Sequence, residues 1–79
     1  MVDHRKLEAE AHWRGMTIDR MCKAAGMLPA KYYRRRRDGG MTLAEAEAFG
    51  KALDLAPETF QEIFLKGVLE TNEKGANVQ

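Results

Sequence analysis

Along this chain the apolar positions recur at spacings of three and four, the period of helices with one buried face. Capping residues, glycines and prolines divide that pattern into five predicted helices. The first runs from about Asp3, whose carboxylate can cap it, to Arg14, with Leu7 and Ala11 on its inward face and Gly15 as its stop. Trp13 lies off that stripe, over the helix end or in solvent, and is a candidate interface residue. The second opens at Thr17, a good N-cap, with Asp19 in its first turn; Ile18, Met21, Cys22 and Ala25 are its apolar positions and Gly26 ends it. Pro29 opens the third, which continues through Arg37 to the stop Asp38-Gly39-Gly40. Thr42 and Glu45 form a capping box for the fourth, whose stripe is Leu43, Ala46, Phe49 and Leu53. Pro57 opens the fifth, carrying Phe60, Ile63, Phe64 and Val68. From Glu70 onward the periodic pattern is gone. The expectation is an all-α fold, a compact bundle of about five short helices over residues 1–69, with a flexible C-terminal tail over residues 70–79.

Composition narrows what such a bundle can do. Seventy-nine residues make one domain; a chain this short buries only about 60% of its unfolded surface, so its core is small. A surface that binds something large is easier to build at this size than an enclosed catalytic pocket. With 44% hydrophobic and 32% charged residues the chain is of the folded, water-soluble kind. No apolar stretch approaches the roughly 20 residues that span a bilayer. The N-terminal MVDHRKLEAE lacks the apolar core of a signal peptide, which makes the cytoplasm the expected location.

Candidate chemistry is sparse. The single cysteine, Cys22, excludes an internal disulfide and the cysteine-rich zinc frameworks. His4 and His12 stand eight apart without other ligands at metal spacing, so no metal is expected. Gly39-Gly40 precede a helix without the Lys-Ser/Thr partner of a phosphate loop, and no Ser/His/Asp or Cys/His set assembles from the spacing. The expectation is a non-enzyme with no cofactor and no small-molecule ligand.

Charge changes the picture more. The net charge is +1, but residues 1–40 carry +5 and residues 41–79 carry −4. The basic half concentrates in Lys31-Tyr32-Tyr33-Arg34-Arg35-Arg36-Arg37, on the third helix. One reading is a solvated surface paired with the acidic half. Four adjacent arginines repel one another, however, and an anionic partner explains them better.

Residues 17–37 read as two short helices meeting at a glycine turn. Met21, Cys22 and Tyr32 face a common interior, and a small residue at Cys22 lets the helices approach, so Cys22 reads as core and not as a reactive thiol. With Tyr32 and the stem of Arg36 inward, Ala30, Tyr33, Arg34 and Arg37 point out, flanked by Lys31 and Arg35. Such a face suits the B-DNA major groove, about 12 Å wide, where arginine grips guanine with two hydrogen bonds. Tyr33 would meet a phosphate or a thymine methyl, and small Ala30 would let the helix start sit deep.

The stretch resembles the lambda-repressor-like helix-turn-helix family, which includes small phage Cro-like and repressor-like proteins. The matching positions are Thr17 at the cap, Met21, Cys22 at the usual alanine site, Gly26 at the turn and Met27 after it. Asp38-Gly39-Gly40, Thr42-Leu43 and Phe60 with Phe64 follow the downstream pattern, so the resemblance covers about residues 5–66. The chain departs from it at Leu28, where a capping serine is usual, at Ile18, where a glutamine often reaches the DNA backbone, and at Arg35 and Arg36, where an apolar residue plugs the core. One of those arginines must lay its stem on the core with its charge at the rim. The resemblance implies a transcriptional regulator of bacterial or phage origin that binds double-stranded DNA through Thr17, Ala30, Lys31, Tyr33, Arg34, Arg35 and Arg37. It also implies a homodimer on half-sites about one helical turn apart, with Phe64, Leu65 and Val68 of the fifth helix as candidate contacts. The competing reading is a protein-interaction module that docks the basic helix on an acidic partner. A third and weaker one is RNA binding through the Tyr32-Tyr33 pair.

Overall fold

The structure is a computed structural model describing residues 2–65, and every regular element among them is helical. Helix α1 spans His4–Trp13, α2 Ile18–Ala25, α3 Pro29–Asp38, α4 Leu43–Leu53 and α5 Pro57–Phe60; α5 runs directly into a π-helical turn, Gln61–Leu65. The fold is the small all-α bundle the apolar spacing predicts. The expected boundary at residue 69, the tail 70–79 and Val68 lie outside the described residues.

Local chemistry accounts for the helix ends. The Asp3 carboxylate accepts the Lys6 backbone N–H, the Thr17 hydroxyl accepts that of Arg20, and Thr42 with Glu45 completes a capping box. Each satisfies backbone donors that a helix start leaves unpaired. Pro29 and Pro57 fill the first positions of α3 and α5, where a missing N–H costs nothing. Gly26 and Gly39 close α2 and α3 with φ of 77° and 81°, a left-handed conformation that a side chain would strain.

One core joins the elements. It gathers Leu7 and Ala11 of α1, Met21 and Cys22 of α2, Met27 of the turn, Tyr32 of α3, Ala46, Phe49 and Leu53 of α4, and Ile63 and Phe64. Helix α2 packs along both α4 and α3. Burial, then the nearby Asp19 and Glu8 carboxylates, pushes the Cys22 thiol up to about 11, which fits a core residue and not a nucleophile. The chain start ties the periphery together: the Val2 N–H donates to the Gly39 carbonyl at 3.1 Å and the Asp3 N–H to the Ile63 carbonyl at 2.8 Å.

Two expectations change. Leu43 is 62% exposed, so the inward stripe of α4 begins at Ala46; as the first residue of the helix, Leu43 borders a shallow groove instead of the core, alongside Val2, Met41 and Leu65. The fifth helix is not regular. Its wider final turn leaves the neighbours Ile63 and Phe64 both buried and presents the Ile63 carbonyl to Asp3.

Gly50, inside α4, has a packing reason. A Cβ there would lie 2.9 Å from the Phe60 ring. Gly50→Ala would ordinarily gain about 1 kcal/mol of helix propensity. We expect no gain in the wild-type chain but a gain of about that size in a Phe60→Ala background, read by thermal denaturation of the wild type and the three variants. Equal stabilisation in both backgrounds would refute the contact.

Candidate nucleic-acid interface

The rotation of α3 about its axis is set by Tyr32. Its side chain has no exposed surface. The ring lies 5.7 Å from that of Phe49 and edge-on to His4 at 5.5 Å, and its hydroxyl donates to Glu8 Oε2 at 2.7 Å. Residues on a helix advance about 100° each, so a buried Tyr32 turns Ala30, Tyr33, Arg34 and Arg37 outward within an arc of about 100°. All four are exposed. Tyr33 lies edge-on to Tyr32, with ring centroids 5.7 Å apart.

The other cations of the run lie on the two flanks of α3, each against a carboxylate. On the α4 side, Glu45 Oε2 accepts from Arg35 Nη2 at 3.1 Å and lies 3.3 Å from Lys31 Nζ. On the α1 side, Arg36 Nε lies 3.5 Å from Glu8 Oε2, the oxygen that also takes the Tyr32 hydroxyl. Lys31 and Arg35, read from the sequence as flanking the outward face, are therefore engaged by an acidic residue of the fold itself. The inward stem is also reassigned. Arg35, not Arg36, is the half-buried arginine, and its Nε has no hydrogen-bond partner among the described residues; Arg36 stays at the rim.

Electrostatics follows from these contacts. Burial pushes the Glu45 carboxyl up, but the Thr42 backbone N–H, the Arg35 guanidinium and the Lys31 ammonium outweigh burial and hold it below the usual glutamate range. Burial and the Glu8 carboxylate both push the Tyr32 phenol well above its ordinary value, so it remains a donor. Burial pulls His4 below the usual histidine value, against the opposing pull of Glu8.

The His4–Tyr32–Glu8 cluster is the part the sequence reading missed. His4 is 7% exposed, its Nδ1 is 3.4 Å from the Tyr32 hydroxyl, and its Nε2 is unpartnered among the described residues. A signal was available, because His4 stands three residues before Leu7 on the stripe that Leu7 and Ala11 define. Glu8, next to Leu7, carried none.

The remaining candidates separate clearly. The exposed Thr17 spends its hydroxyl on the α2 cap. Phe64 is 4% exposed and belongs to the core, so it offers no free surface for a dimer contact; Leu65 is half-buried. Trp13, at the end of α1, is 81% exposed among the described residues. Among the described residues no helix is long and apolar enough to cross a membrane, and no three His, Cys, Asp or Glu side chains gather where they could hold a metal ion. Compared with known proteins, the chain matches no family model, no curated protein and no solved structure.

The lowered His4 value has a sign. Below the ordinary histidine value of 6.5 the unfolded chain takes up a proton that folded His4 resists. The stability due to neutral His4 is thus complete above that value and is lost as pH falls through it toward the lowered folded value. The melting temperature is expected to drop between about pH 7 and pH 5 and to drop less in His4→Gln. Identical pH slopes for the two proteins would show that folded His4 takes up its proton as readily as the unfolded chain does.

Proposed function

We propose that the chain binds duplex DNA as a small sequence-specific transcriptional regulator, with α2, the Gly26 turn and α3 acting as a helix-turn-helix. The observation that carries this reading is the outward arc of α3. Arg34 and Arg37 stand one turn apart on it, exposed, with no acidic partner among the described residues, whereas Lys31, Arg35 and Arg36 each have one. Two free guanidiniums on the exposed face of a short helix suit the major groove, where each pairs with guanine O6 and N7 or with a phosphate. Tyr33 at the edge of the arc offers a flat apolar surface to a thymine methyl, and Ala30, between the two arginines, leaves room for the groove wall.

A domain this small has little contact area, and a homodimer on paired half-sites would raise both affinity and specificity. With Phe64 in the core, the dimer face is best drawn around the apolar groove that Val2, Met41, Leu43 and Leu65 border. A protein-interaction module is the second reading. Leu28, 76% exposed at the start of α3, favours it, since an apolar side chain there suits a protein surface better than a phosphate backbone.

Arg34→Ala and Arg37→Ala are each expected to weaken binding to a duplex selected from a random library by about 1–3 kcal/mol. Lys51→Ala, which removes the same charge from the exposed end of α4, should change it less than about twofold. Affinity should fall with salt at a log–log slope of about −0.9 per phosphate neutralised. Equal losses at Arg34 and Lys51, or stoichiometric capture of an acidic protein that duplex DNA does not displace, would overturn the reading in favour of the second.

A further inference from the structure

Glu45 is held from two directions. Its Oε1 accepts the Thr42 backbone N–H at 2.9 Å as half of the α4 capping box, so the side chain cannot swing out without breaking that half. Its Oε2 faces Arg35 and Lys31 at 3.1 and 3.3 Å, and the side chain is only 13% exposed. An isolated ion pair in water is weak and easily exchanged. Here one half-buried carboxylate serves two cations and a backbone donor, and drawing the cations away would leave it without its charged partners. On the opposite flank Glu8, fixed by the Tyr32 hydroxyl, faces Arg36 in the same manner.

We propose that Glu45 is a specificity-determining residue of the α3 interface: it holds Lys31 and Arg35 back from the phosphates and so suppresses sequence-independent binding. The inference rests on the DNA-binding reading above. Its logic is electrostatic. Each cation that reaches a phosphate adds the same affinity to every duplex, selected or not, while base contacts by Arg34 and Arg37 add affinity only to the right one. A regulator must find its site among a large excess of competing duplex, so the ratio of the two affinities decides its function. A helix with five free cations would bind everything; one whose flanking cations are tied to the fold keeps its outward pair for reading.

The experiment uses the full chain, fluorescence anisotropy with a random-sequence duplex and a selected duplex, and a salt series. Glu45→Gln removes the charge but keeps a side chain that completes the capping box. It is expected to raise affinity for the random duplex by about three- to tenfold at low salt and to steepen the log–log slope by about 0.9 per added phosphate contact. The preference for the selected duplex should shrink accordingly. Adding Lys31→Gln and Arg35→Gln to Glu45→Gln should abolish the gain. The same pair in the otherwise wild-type chain, although it removes two charges, should weaken random-duplex binding less than Arg34→Gln alone does, and this arm decides the matter alone if circular dichroism shows Glu45→Gln unfolded. The inference is overturned if Glu45→Gln folds and leaves affinity and slope unchanged, or if Lys31→Gln with Arg35→Gln weakens random-duplex binding as much as Arg34→Gln does. A wild-type chain without affinity for any duplex at low salt overturns the DNA-binding reading itself and the inference with it.

Discussion

A phenol ring with no exposed surface, ending on a carboxylate, is the contact on which the rest of this molecule turns. Tyr32 is the one fully buried side chain of α3, and a ten-residue helix with a single anchor has its rotation set by that anchor. A buried hydroxyl without a partner costs about 1–3 kcal/mol, so the ring can sit in the core only where Glu8 meets its oxygen. Glu8 in turn is placed by α1, which Leu7 and Ala11 bind to the core on the adjoining positions of the same helix. Through this chain of contacts α1, distant in sequence, decides which side chains of α3 face outward.

The second constraint is the division of charge that follows. Once Tyr32 is inside, the cations of the run spread around the remaining circumference, and the fold meets both flanks with acid: Glu8 on one side, Glu45 on the other. Part of the basic run is therefore paired within the molecule, by one carboxylate from each half of the chain, and part has no acidic partner among the described residues. The first way of reading four adjacent arginines, a surface neutralised by the protein's own acid, applies to Arg35 and Arg36 of this helix.

Those arrangements depend on closure at the chain start. Asp3 caps α1 with its side chain and donates its backbone N–H to Ile63, while Val2 donates to Gly39 at the end of α3. Lys6 and Glu62 pair alongside. The first residues thus join α1, the end of α3 and the final π-helical turn, and the irregularity of that turn is where the Ile63 carbonyl becomes available to Asp3. The sequence pattern marks Ile63 and Phe64 as apolar but says nothing of this widened turn or of the hydrogen bond it makes with a residue sixty positions earlier.

What the amino-acid sequence determined by itself was what neighbouring residues decide. Asp3, Thr17 and Thr42 cap helices because their oxygens reach N–H groups three residues on; Gly26 and Gly39 end helices because a left-handed backbone is free of strain only for glycine; Tyr32 opposes Ala30, Tyr33, Arg34 and Arg37 because a helix turns about 100° per residue. The five-helix plan and the outward arc were legible on those grounds. Which arginines are free was not. Glu45 was visible only as a capping residue and Glu8 not at all, since their pairing with α3 spans gaps of 10 to 28 residues and is set by packing around Tyr32 and Phe49. The same packing put Phe64 in the core, left Leu43 outside it and buried His4. Burial and ion pairing are properties of surfaces brought together from distant parts of the chain, and only the tertiary structure brings them together.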